Sequence, residues 1–216
     1  MKICAIIPFY NESKFISEIT TEVLKYVDHI IAIDDGSTDN SMNIIPDSNR
    51  ITKIIHPLNM GKGAALKSGF QKSLELGFDI TITIDADLQH DPSYIPKFIN
   101  EINNYDLVIG NRLNDISNMP FPRILSNKIT SKLLSIKTGL KILDSQNGFR
   151  AFRNKTLNNL IPTSFGFEAE SEILVLAGKF KYKTGHVEIP TIYGEEKSKM
   201  RNIQAIKGFL KVLYKF

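Results

Sequence analysis

"DITITIDADLQHD" (residues 79–91) joins a β-branched apolar run to three further carboxylates, Asp85, Asp87 and Asp91, with no Lys or Arg among them. The run reads as a buried strand, and the acidic stretch as the loop at its carboxyl end. The same grammar recurs outward. "KICAII" (2–7) leads into "PFYNE" (8–12), "HIIAI" (29–33) leads into "DDGSTD" (34–39), and "ITKII" (51–55) and "DLVIG" (106–110) are further strand-like runs. Amphipathic stretches at 13–27, near 39–45, at 62–76 and at 93–103 separate them, Phe15, Ile16, Ile19, Val23, Leu24 and Val27 marking one face of the first. Strands alternating with helical crossovers predict an α/β fold, a Rossmann-like mostly parallel sheet flanked by helices. Ligands of such sheets bind at the carboxyl ends of the strands.

The chain has 216 residues, 42% hydrophobic and 23% charged, enough for one sizeable core. A net charge of +4 permits a nucleotide, phosphate or lipid-surface partner and is low for a nucleic-acid binder. The single Cys4 lies in "ICAII" and reads as core packing, with a reduced, cytoplasmic setting as the default. No run of 18 apolar residues occurs, and the first apolar stretch meets Asn11 and Glu12 too soon for a signal peptide. After residue 111 the alternation lapses into "NDISNMPFPR" (114–123), followed by helix-like segments 122–138 and 166–179. Residues 1–111 read as the nucleotide half and 112–200 as the acceptor half of one domain, with 201–216 a basic amphipathic helix.

Residues two apart on an extended chain point the same way, so Asp85, Asp87 and Gln89 are expected to converge. Oxygen donors of this kind suit Mg²⁺ or Mn²⁺, which complete their shell with water and substrate phosphates. Structural readings stand beside this one. Asp91 before Pro92 is placed to cap a helix, Ser13, Thr38 and Asp39 are plausible caps, Gly36 makes a turn, and His90 reads as a ligand or as an ordinary loop histidine. A P-loop is absent. "GKGAAL" (61–66) has Leu66 where a dinucleotide fingerprint needs its third glycine, and Pro8 stands where an Asp-x-Asp phosphatase needs its nucleophile.

"IIPFYNE", "IDDGSTD", "NMGKGAAL", "DADLQHDP", "GNR" and "NGFRAF" occur in an order and spacing that resembles glycosyltransferase family 2, the inverting enzymes of GT-A fold, over about residues 3–200. Within it the chain is most similar to dolichyl-phosphate mannosyltransferases and related polyprenyl-phosphate glycosyltransferases. The resemblance implies that Pro8, Tyr10, Glu12 and Asp35 hold the nucleoside, with Asp34 beside it and Gly61, Lys62, Asp85 and Ala86 completing the nucleotide site. It implies Asp85, Asp87 and Gln89 at a divalent cation, and Arg112, Arg123 and Lys199 at the acceptor phosphate. The donor would be of GDP-mannose or UDP-glucose type, the acceptor a polyprenyl phosphate, and the enzyme peripheral on the cytoplasmic membrane face.

The chemistry agrees. Sugar transfer passes through an oxocarbenium-like transition state while the leaving diphosphate gains charge, which a cation at Asp85 and Asp87 stabilises. A saccharide hydroxyl acceptor needs a general base, for which Asp144 in "LDSQNGF" is the best-placed acid, a cap being the other reading. A lipid phosphate needs no base; it needs cationic fixation, and Arg112 and Arg123 flank 113–121. "IYGEEKSKMR" (192–201) offers Lys197, Lys199 and Arg201 in place of a longer Arg-bearing segment. Glu168, Glu170 and Glu172 cannot share one helix face, so at most one joins the site. In 202–216, Ile203, Ile206, Leu210 and Leu213 form an apolar stripe with Lys207, Lys211 and Lys215 beside it, to be laid on a membrane or on the domain. A catalytically silent nucleotide-sugar or membrane-surface module is the reading from another class.

Overall fold

The computed structural model describes residues 1–114, 116, 119–190, 192 and 202–215. The expected alternation is present as β1 (Ile3–Phe9), α1 (Ile16–Val23), β2 (His29–Asp34), α2 (Ser41–Ile44), β3 (Ile51–Ile55), α3 (Lys62–Glu75), β4 (Ile80–Thr83), α4 (Ile95–Glu101) and β5 (Leu107–Asn111). It continues through α5 (Phe121–Thr138), β6 (Arg150–Arg153), α6 (Asn154–Leu157), α7 (Ala169–Lys179), β7 (Thr184–Glu188) and α8 (Asn202–Lys215). β6 and β7 are strands that the sequence reading missed.

The strands form one sheet in the order β3-β2-β1-β4-β6-β5-β7. β1 pairs in parallel with β2 on one side and β4 on the other, so the chain order switches at the carboxyl ends of β1 and β4. That is where an open α/β sheet opens a crevice. β6 runs antiparallel between β4 and β5. A strand from the second half therefore sits among strands of the first, and residue 111 ends a strand without dividing the core.

The Ile-rich strands β1, β2 and β4 are buried on both faces, as a helix-covered parallel sheet requires, while the edge strand β3 is half-buried with Ile55 exposed. Ile16, Ile19 and Val23 of α1 and Ile95 and Phe98 of α4 pack on one face; Phe70 of α3, Leu134 of α5, Leu174 of α7 and Val212 of α8 pack on the other. Cys4 is fully buried, 3.2 Å from Ser73 Oγ, and burial pushes its thiol up to about 11, so it serves packing alone. Asp91 caps as expected: its Oδ1 accepts from Ser93 N at 2.8 Å, with Pro92 opening the short turn that leads into α4. On α8 the expected stripe divides. Phe209, Val212 and Leu213 face the core, while Ile206 and Leu210 are exposed.

Candidate active site

The loops after β1 and β2 are laced together. Ser37 N donates to Asp34 Oδ1 (2.7 Å), Asn11 N to Ser37 Oγ (2.9 Å) and Thr38 N to Asn11 Oδ1 (2.8 Å). Glu12 N donates to Ser41 Oγ and Ser13 N to Asp39 Oδ2. Burial opposes the charge on Asp39, but hydrogen bonds from Ser41 and Ser13 prevail and hold it near 2. Asp39 thus ties the two loops together, and Ser13 caps no helix, since α1 starts at Ile16. Pro8 is buried in β1, with Tyr10 and Glu12 half-buried just beyond it.

Asp35 is 4% exposed and anchors the next loop: Oδ1 accepts from Met60 N (3.0 Å) and lies 2.8 Å from His56 Nδ1, and Oδ2 accepts from Gly61 N (2.7 Å). Gly61 has φ 98°, where a Cβ would also strike the Phe165 carbonyl. That turn launches α3 with Lys62 at its first position. Asp35 thereby sets Gly61 and Lys62 at the crevice.

The acidic loop corrects one expectation. β4 ends at Thr83, Ala86 and Asp87 form a turn, and Leu88 takes φ 57°, a conformation costly for a branched side chain. A turn, not an extended strand, brings the acids to the crevice. Lys62 Nζ lies 2.6 Å from both Asp85 Oδ1 and Glu170 Oε1. Burial lowers the Lys62 pKa, but the two carboxylate charges outweigh it and leave it above its ordinary value. Among the described residues Asp87 forms no such ion pair. Burial, then the charge of Asp85, pushes its carboxyl up to about 6. Its Oδ1 also accepts from Gln89 N, so Gln89 belongs to the same turn.

Three residues outside the expected set, Gly148, Arg150 and Asn127, complete the floor together with Glu170. A Cβ on Gly148 would lie 2.7 Å from Asp85 Oδ2 and 3.0 Å from Glu170 Oε1 and Lys62 Nζ, so only glycine leaves room for the triad. Arg150, fully buried in β6, donates to the carbonyls of Asn147, Glu170 and Ser145 at 2.8–2.9 Å and ties the loop before Gly148 to α7. Asn127 reaches in from α5. Glu170 is the one residue of its acidic trio in the site, as the helical spacing allows. Glu172 instead accepts from Thr163 and Ser164 N, and Glu168 lies against Gly166. His90 is buried beside Phe149; burial, then the charge of Arg112, lowers it to about 4, so it is neutral, and its Nδ1 has no hydrogen-bond partner among the described residues.

At the end of β5, Arg112 and Asp144 form a buried pair. Oδ2 of Asp144 accepts from Arg112 N (3.1 Å) and Nε (2.8 Å), and Oδ1 accepts from Arg112 Nη2 (2.9 Å) and Asn127 Nδ2 (2.6 Å). Asp144 is 0% exposed and Arg112 5%. Although burial resists, the Arg112 hydrogen bonds keep Asp144 below the usual carboxylate range. Arg123 stands half-buried in the first turn of α5. Lys197, Lys199 and Arg201 lie outside the described residues.

Asp85 and Asp87 fit a hard divalent cation. Both offer oxygen only, and the raised Asp87 marks negative charge that the protein leaves without full compensation. Among the described residues no three His, Cys, Asp or Glu side chains gather as a metal set. Such an ion would need water and phosphate oxygens for the rest of its shell, the habit of Mg²⁺ and Mn²⁺ at nucleotides.

Comparisons with known proteins agree with this geometry. The glycosyl transferase family 2 model matches residues 4–161. A UDP-N-acetylglucosamine–dolichyl-phosphate N-acetylglucosaminyltransferase of Methanococcus voltae is 35% identical over 97% of this chain and 92% of its own length. A dolichol-phosphate mannosyltransferase of Pyrococcus furiosus is 32% identical over 90% of this chain and 57% of its own. Among solved structures, glucosyl-3-phosphoglycerate synthase of Mycobacterium tuberculosis, crystallised with Mn²⁺, UDP and phosphoglyceric acid, superposes with TM-score 0.78 at 19% identity, covering 98% of this chain and 78% of that one. The likeness in fold and the match of sequence together make this chain a member of glycosyl transferase family 2, with the GT-A fold.

Proposed function

We propose that this chain is an inverting glycosyltransferase that moves a sugar from a nucleoside-diphosphate donor to a polyprenyl phosphate at the cytoplasmic membrane face. Residues 1–200 form the catalytic domain, and α8 is appended to it.

The state of Asp144 carries the choice of acceptor. A carboxylate has about four lone-pair sites, and four donors, three from Arg112 and one from Asn127, fill them. With no exposure and a depressed pKa, Asp144 can neither reach nor hold an acceptor proton. Its task is to position Arg112, so Asp144 is not the base that a hydroxyl acceptor would need. A phosphate acceptor, anionic near neutral pH, requires none. No described residue takes a hydrogen bond from Arg112 Nη1, which leaves that group for an acceptor oxygen, with Arg123 on the next helix. The names of the two relatives, both lipid-phosphate transferases, support this reading.

The acceptor oxygen attacks the anomeric carbon as the bond to the diphosphate breaks, inverting the centre and releasing a nucleoside diphosphate. Asp85 and Asp87, with Gln89 beside them, would hold a divalent cation, which would supply electrostatic stabilisation of the leaving charge. Lys62 stays cationic beside Asp85 and compensates it, while Arg150 and Gly148 hold the floor in register. Pro8, Tyr10, Glu12, Asp34 and Ala86 line the nucleoside end.

A thermal-shift comparison of UDP and GDP, with Mn²⁺ or with chelator, tests donor and metal together. The name of the archaeal relative makes UDP the first base to try. Ligand at about 100 times its Kd adds about 2.7 kcal/mol, roughly 5–10 °C for a domain of this size. No shift with any nucleoside diphosphate, or a shift that survives chelation, rejects the donor and metal assignment.

A further inference from the structure

Asp35 uses most of its bonding capacity inside the protein. A carboxylate has about four lone-pair sites. The two on Oδ1 take Met60 N (3.0 Å) and His56 Nδ1 (2.8 Å), and one on Oδ2 takes Gly61 N (2.7 Å). Among the described residues nothing else donates to this carboxylate, so one lone pair is left, on Oδ2. His56 reaches Asp35 because it directly follows β3, the neighbour of β2 in the sheet, and its backbone N donates to the Asp34 carbonyl (2.8 Å). Its buried ring is held from both sides: facing a carboxylate, Nδ1 carries the proton, and Nε2 lies 2.9 Å from Ser68 Oγ on α3. Ser68, His56 and Asp35 stand in the order of a hydrolytic relay. Ser68 lies within α3, however, where backbone N–H groups are engaged in helical bonds, so its hydroxyl has no oxyanion donors beside it. The relay orients a carboxylate; it does not attack a substrate.

We infer that His56 selects the base of the donor: by filling Oδ1 it leaves Asp35 able to accept one N–H only, which suits uracil and disfavours guanine. This rests on the nucleoside-diphosphate donor proposed above. The diphosphate belongs at Lys62 and Asp85, just past β4, and Asp35 follows β2, on the other side of β1 in the sheet. Two strand spacings, about 10 Å, separate those strand ends, a distance that a nucleoside spans from its 5′ oxygen to the edge of its base. Uracil offers one N–H on that edge, at N3, between two carbonyls. Guanine offers two side by side, N1–H and N2–H, which match a carboxylate only when each oxygen takes one in a forked pair. With both Oδ1 sites filled, a guanine bound here keeps one N–H without an acceptor, and a buried donor left unpaired is how a hydrogen-bonding site rejects the wrong partner. Ser68 keeps the His56 ring from turning away. Both are positioning residues, acting on the base through Asp35.

The test is calorimetric titration of the full chain, with Mn²⁺ present, by UDP, GDP and inorganic pyrophosphate, which has no base. Wild type is expected to bind UDP at least about tenfold more tightly than GDP, the cost of one unpaired donor. His56→Leu frees a site on Oδ1, so the ratio of the two affinities should fall by about tenfold while pyrophosphate binds as it does to wild type. His56→Asn, whose amide places a donor where Nδ1 stood, should restore the preference. If His56→Leu lowers the melting temperature, Ser68→Ala serves instead, with about a threefold fall in the ratio. Pyrophosphate binding that falls along with that of UDP overturns the inference and makes His56 an anchor of the Gly61 turn alone. A wild type that binds GDP as tightly as UDP also overturns it and leaves the donor reading intact. A wild type that binds pyrophosphate but neither nucleotide rejects the donor reading, and the inference with it.

Discussion

Breaking the Arg112–Asp144 pair from either side should be expensive, and removing both partners far less so. Asp144→Asn keeps the shape but leaves a guanidinium that is 5% exposed without a counterion, and turns an amide NH2 toward Arg112 Nη2 or toward the Arg112 N and Nε donors. Loss of one member of such a pair costs about 3–5 kcal/mol, which for this size of domain lowers the melting temperature by roughly 6–20 °C. Arg112→Met strands the carboxylate at comparable cost. Arg112→Met with Asp144→Leu removes both charges, and the deficit should shrink to about 1–3 kcal/mol, the desolvation of the Asn127 amide that loses its acceptor. Urea unfolding of the four proteins at neutral pH, with unchanged m values, gives the coupling energy as several kcal/mol. The folded Asp144 carboxyl is depressed below its unfolded value, so the coupling is present above pH about 4 and is lost as pH falls through the folded pKa. Single effects that add to the double within about 0.5 kcal/mol would refute the pair, and with it the argument that Asp144 is unavailable as a base.

Asp87→Asn should raise the melting temperature of the free protein above pH about 6 and leave it unchanged near pH 4. A carboxyl raised from 3.8 to about 6 favours the folded state below its unfolded value and loses that advantage as pH climbs through the folded one. The same variant should lose Mn²⁺-dependent nucleotide binding, measured by calorimetry. Gly148→Ala places a methyl 2.7 Å from Asp85 Oδ2 and should weaken donor binding at least about tenfold, with little change in the far-ultraviolet circular dichroism. Lys62→Met leaves Asp85 and Glu170 facing each other without their shared cation and should cost about 3 kcal/mol at neutral pH, less in acid where the carboxylates protonate.

The strands that carry the crevice were legible because Ile-rich runs ending in Pro8, Asp34 and Asp85 announce both burial and the ligand edge. β6 was not. "RAFR" is four residues long with an arginine at each end, a pattern that reads as surface, and only the buried carbonyls around Arg150 make it a central strand. β7, "TGHVE", has five residues and carries Gly185 and His186. In the site, Asp85 and Lys62 were named, while their joint partner Glu170 was visible only as one of three acids on a helix. Asp144 was singled out as a base or a cap, and nothing in "LDSQNGF" reveals that Asn127, 17 residues earlier, and Arg112, 32 residues earlier, fill its lone pairs.

The most direct measurement is a transfer assay with a nucleoside-diphosphate sugar, Mn²⁺ and two matched acceptors, a polyprenyl phosphate and the corresponding polyprenol, with products read by mass spectrometry. The account predicts a glycosyl polyprenyl phosphate from the first and no product from the second. Glycosylation of the alcohol, or of a saccharide hydroxyl, with the phosphate left untouched would contradict it.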